Sequence, residues 1–225
     1  MAALSLLSDL CFVDERDSDF EAAREARGLY GKRGVAGAFN AVLGPDCPYI
    51  AEVASVYAED FHRLGYLEVE PRLDAAAWTS LLEGLQDTYH QSDCRQSDVV
   101  AKHGPPDLVV DKRVLCYVSP AGDGGWVYFD FWEAPTATYT PGRGGLAWTW
   151  HDEDPLLRSI RIPAETFEGG LILTLWGKFV RWGEGWWLDR PSEVPPPGSD
   201  PDILEQLRSI HAADPSESGS SSRRH

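Results

Sequence analysis

Trp126-Val127-Tyr128-Phe129-Asp130-Phe131-Trp132 is the stretch on which the fold turns. Six of its seven residues are aromatic or β-branched, the side chains that suit a pleated, covered surface. Successive side chains of a strand point to opposite faces. Val127, Phe129 and Phe131 therefore share one face, and Tyr128, Asp130 and Trp132 the other. Immediately upstream, Val114–Val118 is a second run of the same kind, and Ala121-Gly122-Asp123-Gly124-Gly125 between the two is a hairpin signal. Aromatics on both sides of the hairpin require both faces of its sheet to be covered, one of them by helices. The other reads as a concave site or an interface.

Working outward, the C-terminal side continues in strands. Leu146–Trp150, Leu156–Ile162, Leu171–Trp176 and Lys178–Trp182 are the candidates, the last turning through Gly183-Glu184-Gly185 into Trp186-Trp187-Leu188. Residues 191–201 are a proline-rich linker. Ile203–Ile210 fits one amphipathic helix, and Ser216–His225 has the composition of a disordered tail. The N-terminal side is helical. Ser18 with Glu21 forms a capping box ahead of a helix to Arg27, and a short apolar helix spans Val35–Leu43 before Gly44-Pro45. A third helix starts at Pro48 with Ile50, Val53, Val56, Tyr57, Phe61 and Leu64 on one face, and stops at Gly65. A fourth follows Asp74, with Ala77, Trp78, Leu81, Leu82, Leu85 and Tyr89 at the same spacing. Ser97 caps a short one, Asp98–His103, ended by Gly104-Pro105-Pro106. The expected fold is α+β, a helical N-terminal half (1–97) on a twisted, mainly antiparallel sheet from the strand-rich part (98–190). Residues 1–190 read as one domain, and 191–225 as linker, short helix and tail.

The chain has 225 residues, with 36 Asp and Glu against 20 Lys and Arg, a formal net charge of −16. Such an acidic surface excludes a general nucleic-acid binder, which needs a basic footprint, and opposes docking to anionic lipid. A hydrophobic content of 43%, with nine Trp, eight Tyr and eight Phe, excludes intrinsic disorder of the whole chain. Met1–Leu10 lacks the positive n-region of a secretory signal, and no run reaches the roughly 18 apolar residues of a spanning helix. A cytoplasmic location is expected, with Cys11, Cys47, Cys94 and Cys116 as unpaired thiols. His90 and Cys94, four residues apart, are the nearest approach to a zinc pair, and no metal or cofactor is expected. Sixteen Arg against four Lys fits a GC-rich bacterial genome. The unit from Ser97 to Trp132, in which a short helix ends in Gly104-Pro105-Pro106 and leads into a hairpin bearing Tyr117 and Tyr128, resembles a pattern in small lipoproteins related to the outer-membrane assembly component BamE. No activity is carried over from that resemblance.

Nucleotide-binding and nucleophile motifs are absent: the glycines at 28, 31, 34 and 37 fit neither phosphate-loop pattern, and no serine sits in Gly-x-Ser-x-Gly. The richest constellation is Trp148-Thr149-Trp150-His151-Asp152-Glu153-Asp154. It offers an imidazole and three carboxylates in a turn between aromatic strands, suited to a solvated turn, an acidic contact for a basic partner, or acid–base and cation chemistry. Trp132 and Trp186 join Trp148, Trp150, His151, Asp152, Glu153 and Asp154 as candidate binding residues, because tryptophan concentrates binding energy at interfaces. The leading functional expectation is an acidic, non-enzymatic protein-binding module for a basic partner, with the size, acidity and aromatic content of bacterial immunity proteins and other toxin inhibitors. One alternative is an enzyme or small-molecule binder with an aromatic-lined pocket at His151–Asp154. Another is a housekeeping protein whose charge only confers solubility.

Overall fold

The computed structural model describes residues 2–26, 34–45, 49–89, 92–122, 125–132, 136–140, 145–149, 153–183, 185–188, 190, 196, 198–199, 201–202 and 205. Among these, six helices precede the sheet: α1 (Ala2–Val13), α2 (Asp17–Ala26), α3 (Gly34–Leu43), α4 (Ile50–Arg63), α5 (Ala75–Tyr89) and α6 (Gln96–His103). Seven strands follow: β1 (Leu108–Val110), β2 (Val114–Val118), β3 (Trp126–Phe131), β4 (Thr136–Thr140), β5 (Gly145–Thr149), β6 (Leu157–Arg161) and β7 (Leu171–Leu173). A seventh helix, α7 (Leu175–Trp182), follows β7, and Pro201, Asp202 and Glu205 are helical at the start of the expected C-terminal helix, the rest of which lies outside the described residues. The chain divides into two compact units, Met1–Gly177 and Lys178–His225. No helix of the described residues is long and apolar enough to cross a membrane.

The expected α+β class is what forms. A five-stranded antiparallel sheet runs in the order β1-β2-β3-β6-β7, while β4 and β5 pair separately as a two-stranded ribbon. The hairpin read from the sequence joins β2 to β3, with Cys116 opposite Tyr128. An unforeseen strand, β1, is tied to β2 by a tight turn in which Asp111 and Lys112 both take positive φ (50° and 58°) and Arg113 N–H donates to the Val110 carbonyl at 3.1 Å. Two consecutive left-handed residues match the twist of a hairpin.

Alternation along β3 sorts the sheet into two faces. Leu115, Tyr117, Val127, Phe129, Phe131, Leu157 and Ile160 form one, packed against Trp78, Leu81, Leu85 and Tyr89 of α5 and Val99 of α6. This is the main apolar core, and each of these large side chains stabilises by roughly 1.5–3 kcal/mol relative to exposure. The opposite face carries Val114, Cys116, Val118, Trp126 and Tyr128 with Ala51 of α4.

Several local expectations are corrected. Lys178–Trp182 is not a strand but the end of α7. The Thr174 hydroxyl accepts the Gly177 N–H at 3.1 Å, an N-cap that starts a helix at Leu175. α2 begins at Asp17, so Ser18 lies inside it. α6 begins at Gln96, where the Asp98 carboxylate accepts the Arg95 N–H at 2.9 Å, so Ser97 is not its cap. α1 was unforeseen. The buried face of α4 is only partly the apolar stripe. Val56 turns inward and Leu64 is buried just beyond the helix, but Ala51, Glu52, Ser55, Glu59 and Asp60 turn inward as well. Val53, Tyr57 and Phe61 are half-buried, and Ile50 is 79% exposed. Cys11, Cys94 and Cys116 are buried, unpaired thiols, while Cys47 lies outside the described residues.

Candidate functional site

The inward face of α4 meets the second face of the sheet in a cluster of buried charges. Glu52, the third residue of α4, is 1% exposed. Its Oε1 accepts from Arg113 Nη2 at 3.1 Å and from Arg158 Nη2. Arg158, also 1% exposed, extends to Asp130 Oδ2, its Nε at 2.7 Å and Nη2 at 2.6 Å. The same Asp130 oxygen accepts the Ser159 hydroxyl at 3.0 Å, and Arg113 Nη1 lies 3.7 Å from Oδ1. Both guanidiniums lie over the Trp132 ring, at 4.6 and 4.4 Å from its centre. Cation–π contact of this kind is strongest when desolvated.

Why Arg158 points here is a matter of backbone register. Asp130 pairs with Ser159 and Phe131 with Leu157, so Arg158 is the extra residue of a β-bulge. The bulge lets Leu157 and Ile160 join the apolar core while Arg158, Ser159 and Arg161 serve the charged side. Two turns along α4, Glu59 forms a second cluster. Its Oε2 accepts the Tyr128 hydroxyl at 2.6 Å and both terminal nitrogens of Arg161 at 3.3 Å, and its Oε1 accepts Arg63 at 3.0 Å. The Arg161 guanidinium lies 3.5 Å from the centre of the Tyr128 ring.

The electrostatics follow from burial. Desolvation, with the neighbouring charge of Asp130, pushes the Glu52 carboxyl up to about 7 against the opposing pull of Arg158 and Arg113. Tyr128 is driven well above its ordinary value, first by burial, and Cys116 likewise. Two carboxylates with one raised toward neutrality are the raw material of acid–base catalysis. Here they are clamped by arginines, and the cavity bordered by Glu52, Asp130 and Ser159 measures only about 10 Å³, room for nothing larger than a water. A second cavity of about 150 Å³ lies between Glu59, Arg63, Trp126, Arg161 and Phe167, still below the roughly 300 Å³ at which small-molecule sites begin. The geometry is that of a clamp between α4, β3 and β6.

The candidate residues from the sequence are dispersed in role. Trp132 belongs to the clamp; its carbonyl also accepts Trp176 Nε1 at 2.8 Å. Asp154 holds α6, its two carboxylate oxygens accepting the Ser97 N–H at 2.8 Å and the Ser97 hydroxyl at 2.7 Å, and its carbonyl accepting Arg95 Nη1 at 2.5 Å. Glu153 is exposed. Trp148 stands opposite Ala137 in the β4–β5 ribbon. Trp150, His151 and Asp152 lie outside the described residues, as does His90 of the zinc expectation. No cluster of three or more metal-ligating side chains occurs among the described residues. Trp186 belongs to the C-terminal unit, where it is buried with the Lys178 ammonium 5.0 Å from its ring centre and Trp187 edge-on at 5.9 Å. Glu52, Glu59, Arg113, Arg158 and Arg161 were missed. The one available signal was acidic residues at 52 and 59, two turns apart on one face of α4.

Comparison with known proteins returns no matching family model, curated protein or solved structure.

Proposed function

We propose that this chain is an acidic protein-binding module that engages a basic partner, in the manner of an inhibitor or immunity protein. The observation that carries the reading is where the charge sits. Among the described residues the buried charged side chains are Glu52, Glu59, Asp60 and Asp130 against Arg113, Arg158, Arg161 and Lys178, four of each sign. They cancel in number. That leaves 32 of the 36 acidic and 16 of the 20 basic residues for the rest of the chain, which therefore carries the whole −16. An excess of acids over bases of two to one outside the buried set speeds encounter with a positive surface and repels acidic competitors.

The test is affinity capture with the full chain from its native host, then identification and reconstitution of the captured protein. The expected partner is basic, with an association rate that falls steeply as NaCl rises from about 50 to 500 mM, since screening shortens the reach of surface charge. Capture of nothing at low salt, or a complex indifferent to salt, defeats the reading.

A further inference from the structure

α1 presents two unlike faces. Leu7 and Cys11, one turn apart, are buried against Phe20 of α2 and Leu64. The opposite side carries Leu6, Asp9, Phe12 and Val13, which fall together at 3.6 residues per turn. Leu6 is 53% exposed, Phe12 72% and Val13 74%, and among the described residues Phe12 is the most exposed aromatic. A phenylalanine left in water on a regular helix, flanked by two aliphatic neighbours, is the composition of an interface anchor.

What surrounds it is acidic. The span 2–26 contains seven acids and two bases. Asp9 sits within the apolar face, and Asp14, Glu15, Asp17 and Asp19 follow it, all exposed. Both bases are engaged within α2 or its approach: Arg16 Nε pairs with Asp19 at 2.9 Å and its Nη1 donates to the Leu64 carbonyl at 2.5 Å, while Arg24 pairs with Glu21 at 3.0 Å. An apolar face that carries one carboxylate and is followed by more is complementary to an apolar depression bordered by lysine and arginine. It is unsuited to a second copy of itself, in which the Asp9 carboxylates and their neighbours would be brought together.

We infer that the outward face of α1 is the docking surface for a basic protein, with Phe12 as the inserted anchor and Asp9, helped by the exposed Glu15 and Asp17 that follow the helix, as the steering charge. This rests on the acidic-binder reading above and names its contact surface.

The test uses the full ¹⁵N-labelled chain and, as a stand-in for a basic-rimmed apolar surface, a 14-residue helical peptide of leucine and lysine. Titration is followed by amide shifts for wild type, F12S/V13S (apolar anchor removed, charge kept), D9K (steering charge reversed, anchor kept) and E83K, an equal charge reversal at exposed Glu83 of α5. Shifts are expected along α1, with binding weakened about tenfold or more by F12S/V13S and by D9K, and little changed by E83K. Because these side chains are exposed, the variants fold, which circular dichroism verifies. Salt-sensitive binding with shifts elsewhere and no response to F12S/V13S overturns the α1 surface while leaving the acidic-binder reading standing. No binding at low salt overturns both. A dimer in sedimentation that F12S/V13S dissolves assigns the face to a second copy and overturns the basic partner.

Discussion

The two faces of the five-stranded sheet are built from the same strands and joined by different physics. Under α5 and α6 the alternate residues of β2, β3 and β6 are Leu115, Tyr117, Val127, Phe129, Phe131, Leu157 and Ile160, and the helices answer with Trp78, Leu81, Leu85 and Val99. Under α4 the intervening residues of β3 and β6 are Tyr128, Asp130, Ser159 and Arg161 with the bulged Arg158, and the helix answers with Glu52 and Glu59. Burial is equally complete: Phe129 is 0% exposed and Arg158 1%. The apolar face gains from every atom removed from water. The charged face first loses the hydration of each ion and regains it only through fixed partners. One face tolerates conservative exchange; the other tolerates exchange only as a set.

The largest effects come from breaking each face at its centre. Phe129→Ala removes a ring in contact with Tyr89, Tyr117 and His103. It should lower the unfolding free energy by about 3–5 kcal/mol in urea titration. Arg158→Ala should cost a similar amount, about 3–5 kcal/mol, for a different reason: Glu52 and Asp130 stay buried with a principal counter-charge gone. The comparison is sharpened by replacing Glu52, Asp130, Arg113 and Arg158 together with apolar residues of similar volume. That variant should unfold within about 2 kcal/mol of wild type, or be more stable. A set replacement as damaging as Arg158→Ala alone would erase the distinction between the faces.

pH separates them next, with opposite signs. The Glu52 carboxyl rises from 4.5 to about 7 in the fold. Its neutral form is favoured there, so its contribution is full below pH 4.5 and is lost as pH rises through 7, up to about 3 kcal/mol at 1.36 kcal/mol per unit. His103, on the apolar face, is moved the other way, from 6.5 to about 4, by burial first and then by Lys102. Its contribution is full above pH 6.5 and is lost as pH falls through 4. It should be the smaller of the two, because the ring is half-buried and reached by solvent. Urea titrations from about pH 4 to 8 on wild type, E52Q and H103F read both windows. E52Q should flatten the alkaline decline and leave the acid one. A decline above pH 6 unaltered in E52Q would remove Glu52 as its source.

Legibility in the sequence followed the same division. The period-2 pattern of Trp126–Trp132 identified the hairpin, both faces of β3 and the α+β class, because apolar alternation is local and each residue carries its own signal. The charged clamp has no local signal. Glu52 lies 106 positions from Arg158 and 61 from Arg113, and acids between apolar residues on a helix read as its wet side. That is why the spacing of Ile50, Val53, Val56, Tyr57, Phe61 and Leu64 points to an apolar buried face for α4, of which only Val56 and Leu64 are fully buried. The bulge that aims Arg158 is a register property that no single strand reveals. Lys178–Trp182 has the aromatic and β-branched content of a strand, and the Thr174 cap upstream says helix. Of the candidate site, Trp132 took its place through strand alternation. Asp154 was singled out for its neighbours, while the contact it makes lies 57 residues away at Ser97.

That contact supplies the smallest of the tests, at the edge where the apolar face ends. Ser97 is exposed and lies in the first turn of α6, so its hydroxyl-to-carboxylate bond to Asp154 works in solvent. Such a bond contributes about 1 kcal/mol, and the carboxylate keeps the Ser97 backbone N–H when the hydroxyl is removed. Ser97→Ala should therefore lower stability by about 0.5–1 kcal/mol. Asp154→Ala takes both bonds and leaves the first turn of α6 a donor short. It should lower stability by about 1–2 kcal/mol, within the range of a lost helix cap. Hydrogen exchange across 96–103 is the discriminating measurement: if Asp154 acts as a cap, its loss speeds exchange at the start of α6 while Phe129 and its neighbours in β3 keep their protection. Unchanged exchange at 96–99 in Asp154→Ala would mean that Val99 in the apolar core, and not this cap, holds the start of α6.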